Sequence, residues 1–145
     1  MPPIARSEPA GTPGRLRRFV LLELPGWAIL AVSVAYTTYA SGSPLVVFFQ
    51  VVLLSAALAW LFGGRLASLQ MGSLLFGWAA GTMAWFNLLT LASIGIYLLP
   101  ITLFVVAVLV LLQSARNLRC SAAAAGGILL AITTQVVFLG SFVRH

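Results

Sequence analysis

From Gly72 to Leu112 the chain runs for 41 residues without a charged side chain. As one α-helix rising 1.5 Å per residue, this stretch would be about 60 Å long, roughly twice the hydrocarbon thickness of a bilayer. It must therefore fold back on itself within lipid. The turn is expected at Ala92, Ser93, Ile94 and Gly95, where polar and helix-weakening residues gather. Pro100 then falls in the first turn of the next helix, where its missing N–H is harmless.

The remaining apolar residues form three more blocks, Phe19 to Ala40, Pro44 to Phe62 and Ser121 to Val143. Ser41, Gly42, Ser43 and Pro44 make a short turn between the first two, with Pro44 suited to a first helical position. Only 7% of the chain is charged and 61% is hydrophobic, where a soluble domain carries about 25% charged residues. With a mean hydropathy of +1.09, most of the chain must be solvated by lipid. The first block is longer than the apolar region of a cleaved signal peptide, so it is expected to remain as a span.

All eight basic residues are Arg, and the only acids are Glu8 and Glu23. This usage, with abundant Ala, Gly, Leu and Val, fits a GC-rich bacterial genome. The Arg positions test the partition into spans. Arg6, Arg15, Arg17 and Arg18 precede the first block, Arg65 follows the second, Arg116 and Arg119 precede the last, and Arg144 follows it. Five spans with a cytoplasmic N-terminus place seven of the eight Arg inside, as the positive-inside rule requires. The alternative, four spans, moves Arg116 and Arg119 outside.

The expected fold is thus an all-α polytopic helix bundle in the bacterial inner membrane, with spans at about 19–40, 44–62, 72–91, 96–113 and 121–143. Residues 1–15, with four Pro and no apolar periodicity, are expected to be a disordered cytoplasmic tail, and residues 16–145 a single transmembrane domain. The pI near 11.2 does not point to nucleic acid, because the Arg residues are scattered between apolar blocks. Trp27, Trp60 and Trp78 are expected toward the inner interface, and Tyr36, Tyr39, Phe48 and Tyr97 toward the outer one.

Catalysis needs several polar groups converging on one point. His145 is the only His and Cys120 the only Cys, so no metal cluster, redox pair or cofactor site can be assembled, and no catalytic residue can be named. Cys120 is expected as a free thiol in a cytoplasmic loop. Glu23 is the residue to place: either it lies inside the hydrocarbon, or Pro25 opens the span and residues 14–24 form a surface helix with Glu23 at headgroup level. In both cases its partner in an interfacial ion pair is expected among Arg65, Arg116 and Arg119. Gln50, Asn87 and Gln135 are expected to make intramembrane polar contacts between helices. Gly77 and Gly81 on one span, and Ala123, Gly127 and Ala131 on another, share faces that allow close helix packing.

The stretch Ser93-Ile94-Gly95-Ile96-Tyr97-Leu98-Leu99-Pro100, leading into a Val/Leu-rich helix, resembles segments of uncharacterised small bacterial multi-span membrane proteins. The resemblance implies a membrane bundle and no particular activity. The small multidrug resistance transporters are similar in size, but they carry a Glu well inside their first helix and have four spans, so membership is not adopted. A non-enzymatic accessory or assembly subunit of a membrane complex is expected, with a small oligomeric transporter or channel as the alternative. The expected partners are the lipid bilayer and either other membrane subunits or further copies of the chain, with no nucleic acid.

Overall fold

A segment that is apolar around its whole circumference presents no face to water, and its backbone groups must bond within the helix. The computed structural model describes residues 13–39, 43–65, 68–90 and 95–143, and they are helical almost throughout. The helices are α1 (Pro13–Leu22), α2 (Leu24–Tyr39), α3 (Pro44–Gly63), α4 (Leu69–Thr90), α5 (Ile96–Ser114) and α6 (Leu118–Val143).

Three of these, α3, α5 and α6, are long and apolar enough to cross a membrane. The pair α1–α2, taken as one broken span, makes a fourth. The 22 residues of α4 are long enough to cross, but Gln70, Ser73, Thr82 and Asn87 dilute their hydropathy. The physical reason lies in its position: α4 is the central helix, packed most extensively on α6 and also on α3 and α5. A helix shielded by its neighbours has little need of lipid-compatible side chains.

The first block is not one continuous helix. It breaks at Glu23 with a bend of 43°. Pro25 lacks the N–H that would bond the Leu21 carbonyl, and a proline is the commonest cause of so sharp a kink. Backbone bonds from Glu23 N to the Phe19 carbonyl (2.9 Å) and from Trp27 N to the Glu23 carbonyl (3.1 Å) carry the chain through the break. Helix α1 begins at Pro13, inside the stretch read as tail; residues 1–12 lie outside the described residues.

The long apolar stretch divides into α4 and α5. Residues 91–94 of the expected turn lie outside the described residues, but Gly95 is described and shows why a glycine stands there. A Cβ on Gly95 would lie 2.6 Å from both the Asn87 carbonyl oxygen and the Thr90 carbonyl carbon. Pro100 sits inside α5, past the orphan donors of its first turn, which leaves the Ile96 carbonyl without its usual partner. Pro44 opens α3 behind Ser43, whose backbone is extended.

The core is drawn from five helices. Ile29 and Val32 of α2 meet Phe49, Leu53 and Trp60 of α3, and Phe76, Met83 and Phe86 of α4 complete the centre. Tyr36 stands edge-on to Phe86 at 5.5 Å, and Phe49 to Phe86 at 5.3 Å. Trp60 is fully buried against Phe76, with ring centroids 4.8 Å apart, and so faces the bundle instead of forming part of a lipid-facing belt. The outside is apolar: Val47, Val51, Leu54, Leu58 and Phe62 form an exposed stripe on α3, and Leu129, Val136 and Val137 stand exposed on α6. Such a surface suits lipid and not water.

Candidate functional site

Polar side chains are gathered inside this bundle. Ser33, Ser73, Thr82, Asn87, Thr102 and Gln135 are all buried. Two pairs bond helix to helix. Gln135 of α6 donates its amide N–H to Thr82 Oγ1 of α4 at 3.1 Å, and Asn87 of α4 donates to Thr102 Oγ1 of α5 at 2.9 Å. The Thr102 hydroxyl in turn donates to the Leu98 carbonyl at 3.1 Å. Gln50 is half-buried on α3 and makes no hydrogen bond among the described residues. Thr133 and Thr134, beside Gln135, face outward and close their hydroxyls on the Leu129 and Leu130 carbonyls of their own helix.

The small residues of α4 and α6 lie at one interface. Gly77 faces the Ala124 backbone, Gly127 faces the Leu74 carbonyl and the Trp78 amide, and Gly81 lies against Ile128 and Ala131. A Cβ on Gly81 would come within 2.9 Å of Ile128 Cα, so the backbones could not approach this closely with larger residues. Ala131 is fully buried, whereas Ala123 is half-buried beside Ala124, which makes the closer contact with α4. The neighbouring row, Ala122 and Gly126, faces outward.

The charged residues that are described lie at one end of the bundle. Glu23 borders a cleft of about 310 Å³ with Arg18 and Arg65, yet forms no ion pair among the described residues. Arg116, expected as one of its candidate partners, is engaged elsewhere. Its Nη1 donates to Ser73 Oγ at 2.9 Å, and its guanidinium lies 5.6 Å from the centroid of the Phe76 ring. Arg119 is exposed in the first turn of α6. Cys120 is buried in that same turn, because α6 begins at Leu118, earlier than the expected loop allows.

Adjoining the Glu23 cleft is a cavity of about 540 Å³ lined by Arg17, Arg18 and Arg116, by Ser68 at the start of α4, and by leucines of α1 and α5. Three arginines and a helix N-terminus border this recess and make it electropositive, a setting suited to anions. Among the described residues, no group of three His, Cys, Asp or Glu could hold a metal ion. Sequence reasoning did not anticipate Ser73, Thr82 and Thr102 as partners. Serine and threonine in membrane helices commonly bond their own backbone, so composition carries no signal of a cross-helix bond.

No protein-family model matches the chain, and no curated protein or solved structure matches it.

Proposed function

We propose that this chain is a five-span protein of the bacterial inner membrane, N-terminus cytoplasmic and C-terminus outside, that serves as a non-enzymatic accessory or assembly subunit of a larger membrane complex. In this topology α2 spans, α1 lies at the inner interface with Glu23 at headgroup level, and α3, α4, α5 and α6 cross in alternation. Arg18 and Arg65 border one cleft and Arg17, Arg18 and Arg116 an adjoining one, which supports a common cytoplasmic end for α1, the α3–α4 turn and the α5–α6 turn.

The observation that carries the functional reading is the use made of the interior polar groups. Gln135 and Asn87 meet hydroxyls on the facing helices. A permeation path needs such groups to face water, whereas here they join α4 to α6 and α5. The bundle is then a packed scaffold whose apolar periphery is open to lipid or to other subunits.

The test uses single cysteines at Gln50 and Gln135 in a Cys120→Ser background, probed in intact cells with an impermeant thiol reagent. Both positions are expected to stay unlabelled, and the wild-type chain is expected to migrate on native gels well above small multiples of 15.4 kDa. Labelling at Gln135→Cys would mean a water-filled interior and put the transporter or channel reading first.

A further inference from the structure

We propose that the arginine-lined cavity between α1, the start of α4 and the end of α5 binds an anionic glycerophospholipid, phosphate inward and one acyl chain leaving between α1 and α5. The inference rests on the membrane placement of the chain and is independent of the accessory role.

The cavity brings together cations from separate parts of the chain: Arg17 and Arg18 from α1, and Arg116 from the turn after α5. Among the described residues, no carboxylate lines it. Glu23, the one acid among the described residues, borders the adjoining cleft instead. Three like charges around one recess repel each other, and an anion placed among them removes that repulsion. Arg116 is also held in place. One of its five N–H groups goes to Ser73 and its face lies near Phe76, so the guanidinium is anchored beside the cavity with its other N–H groups still able to donate.

Two further features point to a phosphate. The first turn of α4 opens into the cavity through Ser68, Leu69 and Gly72, so the positive end of a 22-residue helix faces the recess. The Ser68 hydroxyl adds a donor at the same place. The volume of about 540 Å³ lies within the range of sites that enclose small molecules.

The rest of the lining distinguishes a lipid from a soluble phosphate. Leu21, Leu22, Leu111 and Leu112 form an apolar wall to the same cavity. A second groove of about 420 Å³, lined further by Leu16, Val20 and Ser114, shares Arg17, Leu21, Leu111 and Ala115 with the first. The two therefore adjoin, and the groove adds Leu16 and Val20 to the apolar wall that starts beside the arginines. A soluble anion would leave the apolar part unused, whereas a phospholipid fills both. Basic recesses at the cytoplasmic ends of membrane helices are suited to such headgroups.

The experiment is native mass spectrometry of the full chain, purified in neutral detergent and offered equal amounts of phosphatidylglycerol and phosphatidylcholine. The wild type is expected to retain phosphatidylglycerol preferentially. Each arginine near the headgroup contributes about fivefold, so Arg17→Gln with Arg116→Gln should lower retention about 25-fold. Arg119→Gln, whose side chain does not line the cavity, should leave it unchanged. If loss of the Ser73 bond unfolds that double variant, Arg17→Gln with Arg18→Gln on α1 serves in its place, with the same expected drop. Equal retention of both lipids, or undiminished retention by the folded variant, overturns the proposal. Displacement of the lipid by inorganic phosphate or glycerol 3-phosphate at equal concentration also overturns it and reassigns the recess to a soluble phosphate. Partner subunits and orientation do not enter a measurement in detergent, so failure of the accessory-subunit reading would leave its result unaffected.

Discussion

Gly126 and Gly127 are adjacent in the chain but point into different surroundings. A Cβ on Gly127 would overlap the Leu74 carbonyl and approach the Trp78 amide, both backbone groups that cannot swing aside. A Cβ on Gly126 meets nothing within 4 Å. Gly127→Val should therefore destabilise the bundle by about 3 kcal/mol, as overpacking does, and Gly126→Val should stay within about 0.5 kcal/mol. Unfolding by SDS in mild detergent checks both, and equal behaviour of the two variants would refute the α4–α6 interface. The Gln135 pair gives a second contrast. Its Oε1 is buried without a partner, so the residue already carries an unmet acceptor alongside its bond to Thr82. Gln135→Met removes both the bond and the unmet acceptor and should change stability by less than about 1 kcal/mol. Thr82→Val leaves the whole amide unpaired and should cost about 1–3 kcal/mol. The double variant should recover most of that loss in the same assay.

The hairpin of α4 and α5 turns on Gly95. The added methyl of Gly95→Ala would press on the Asn87 and Thr90 carbonyl groups, and moving them would disturb the last turn of α4 and the Asn87–Thr102 bond. A loss of about 2 kcal/mol is expected, read in the same unfolding assay. The place of this turn could be read from the chain alone, because a 41-residue apolar stretch is too long for one crossing and Ala92, Ser93 and Gly95 gather near its midpoint. The break ahead of Pro25 was likewise open to inspection, since a proline is a local signal. Which face of each helix meets the core was not legible. In α3 both the buried residues Phe49, Leu53 and Trp60 and the exposed residues Val47, Val51 and Leu58 are large and apolar, so periodicity separates nothing. Long-range partners were hidden for a different reason. Ser73 and Arg116 are 43 residues apart, and nothing local marks either as the other's partner.

Five crossings and four differ most sharply in where the α5–α6 turn lies. In the five-span arrangement it shares the cytoplasmic end with the α3–α4 turn, and the four-span arrangement sends it to the opposite face. Gly63, Gly64 and Ser68 border the same cavity as Ala115 and Arg116, which supports a shared end. Single cysteines in a Cys120→Ser background turn this into a measurement. With an impermeant maleimide on intact cells, Ser43→Cys, Ser93→Cys and His145→Cys are expected to label, while Ser68→Cys and Ser114→Cys label only after permeabilisation. Cys120 itself is buried and a poor reporter, which is why it is removed. Labelling at Ser114→Cys with protection at His145→Cys would establish four spans and place Arg116 outside. In that case α4 and α5 could not both cross, and the recess bordered by Ser68 and Arg116 could not persist in the membrane. The labelling pattern therefore decides more than orientation, since it also decides whether the helix arrangement that brings these arginines together is the one the bilayer accommodates.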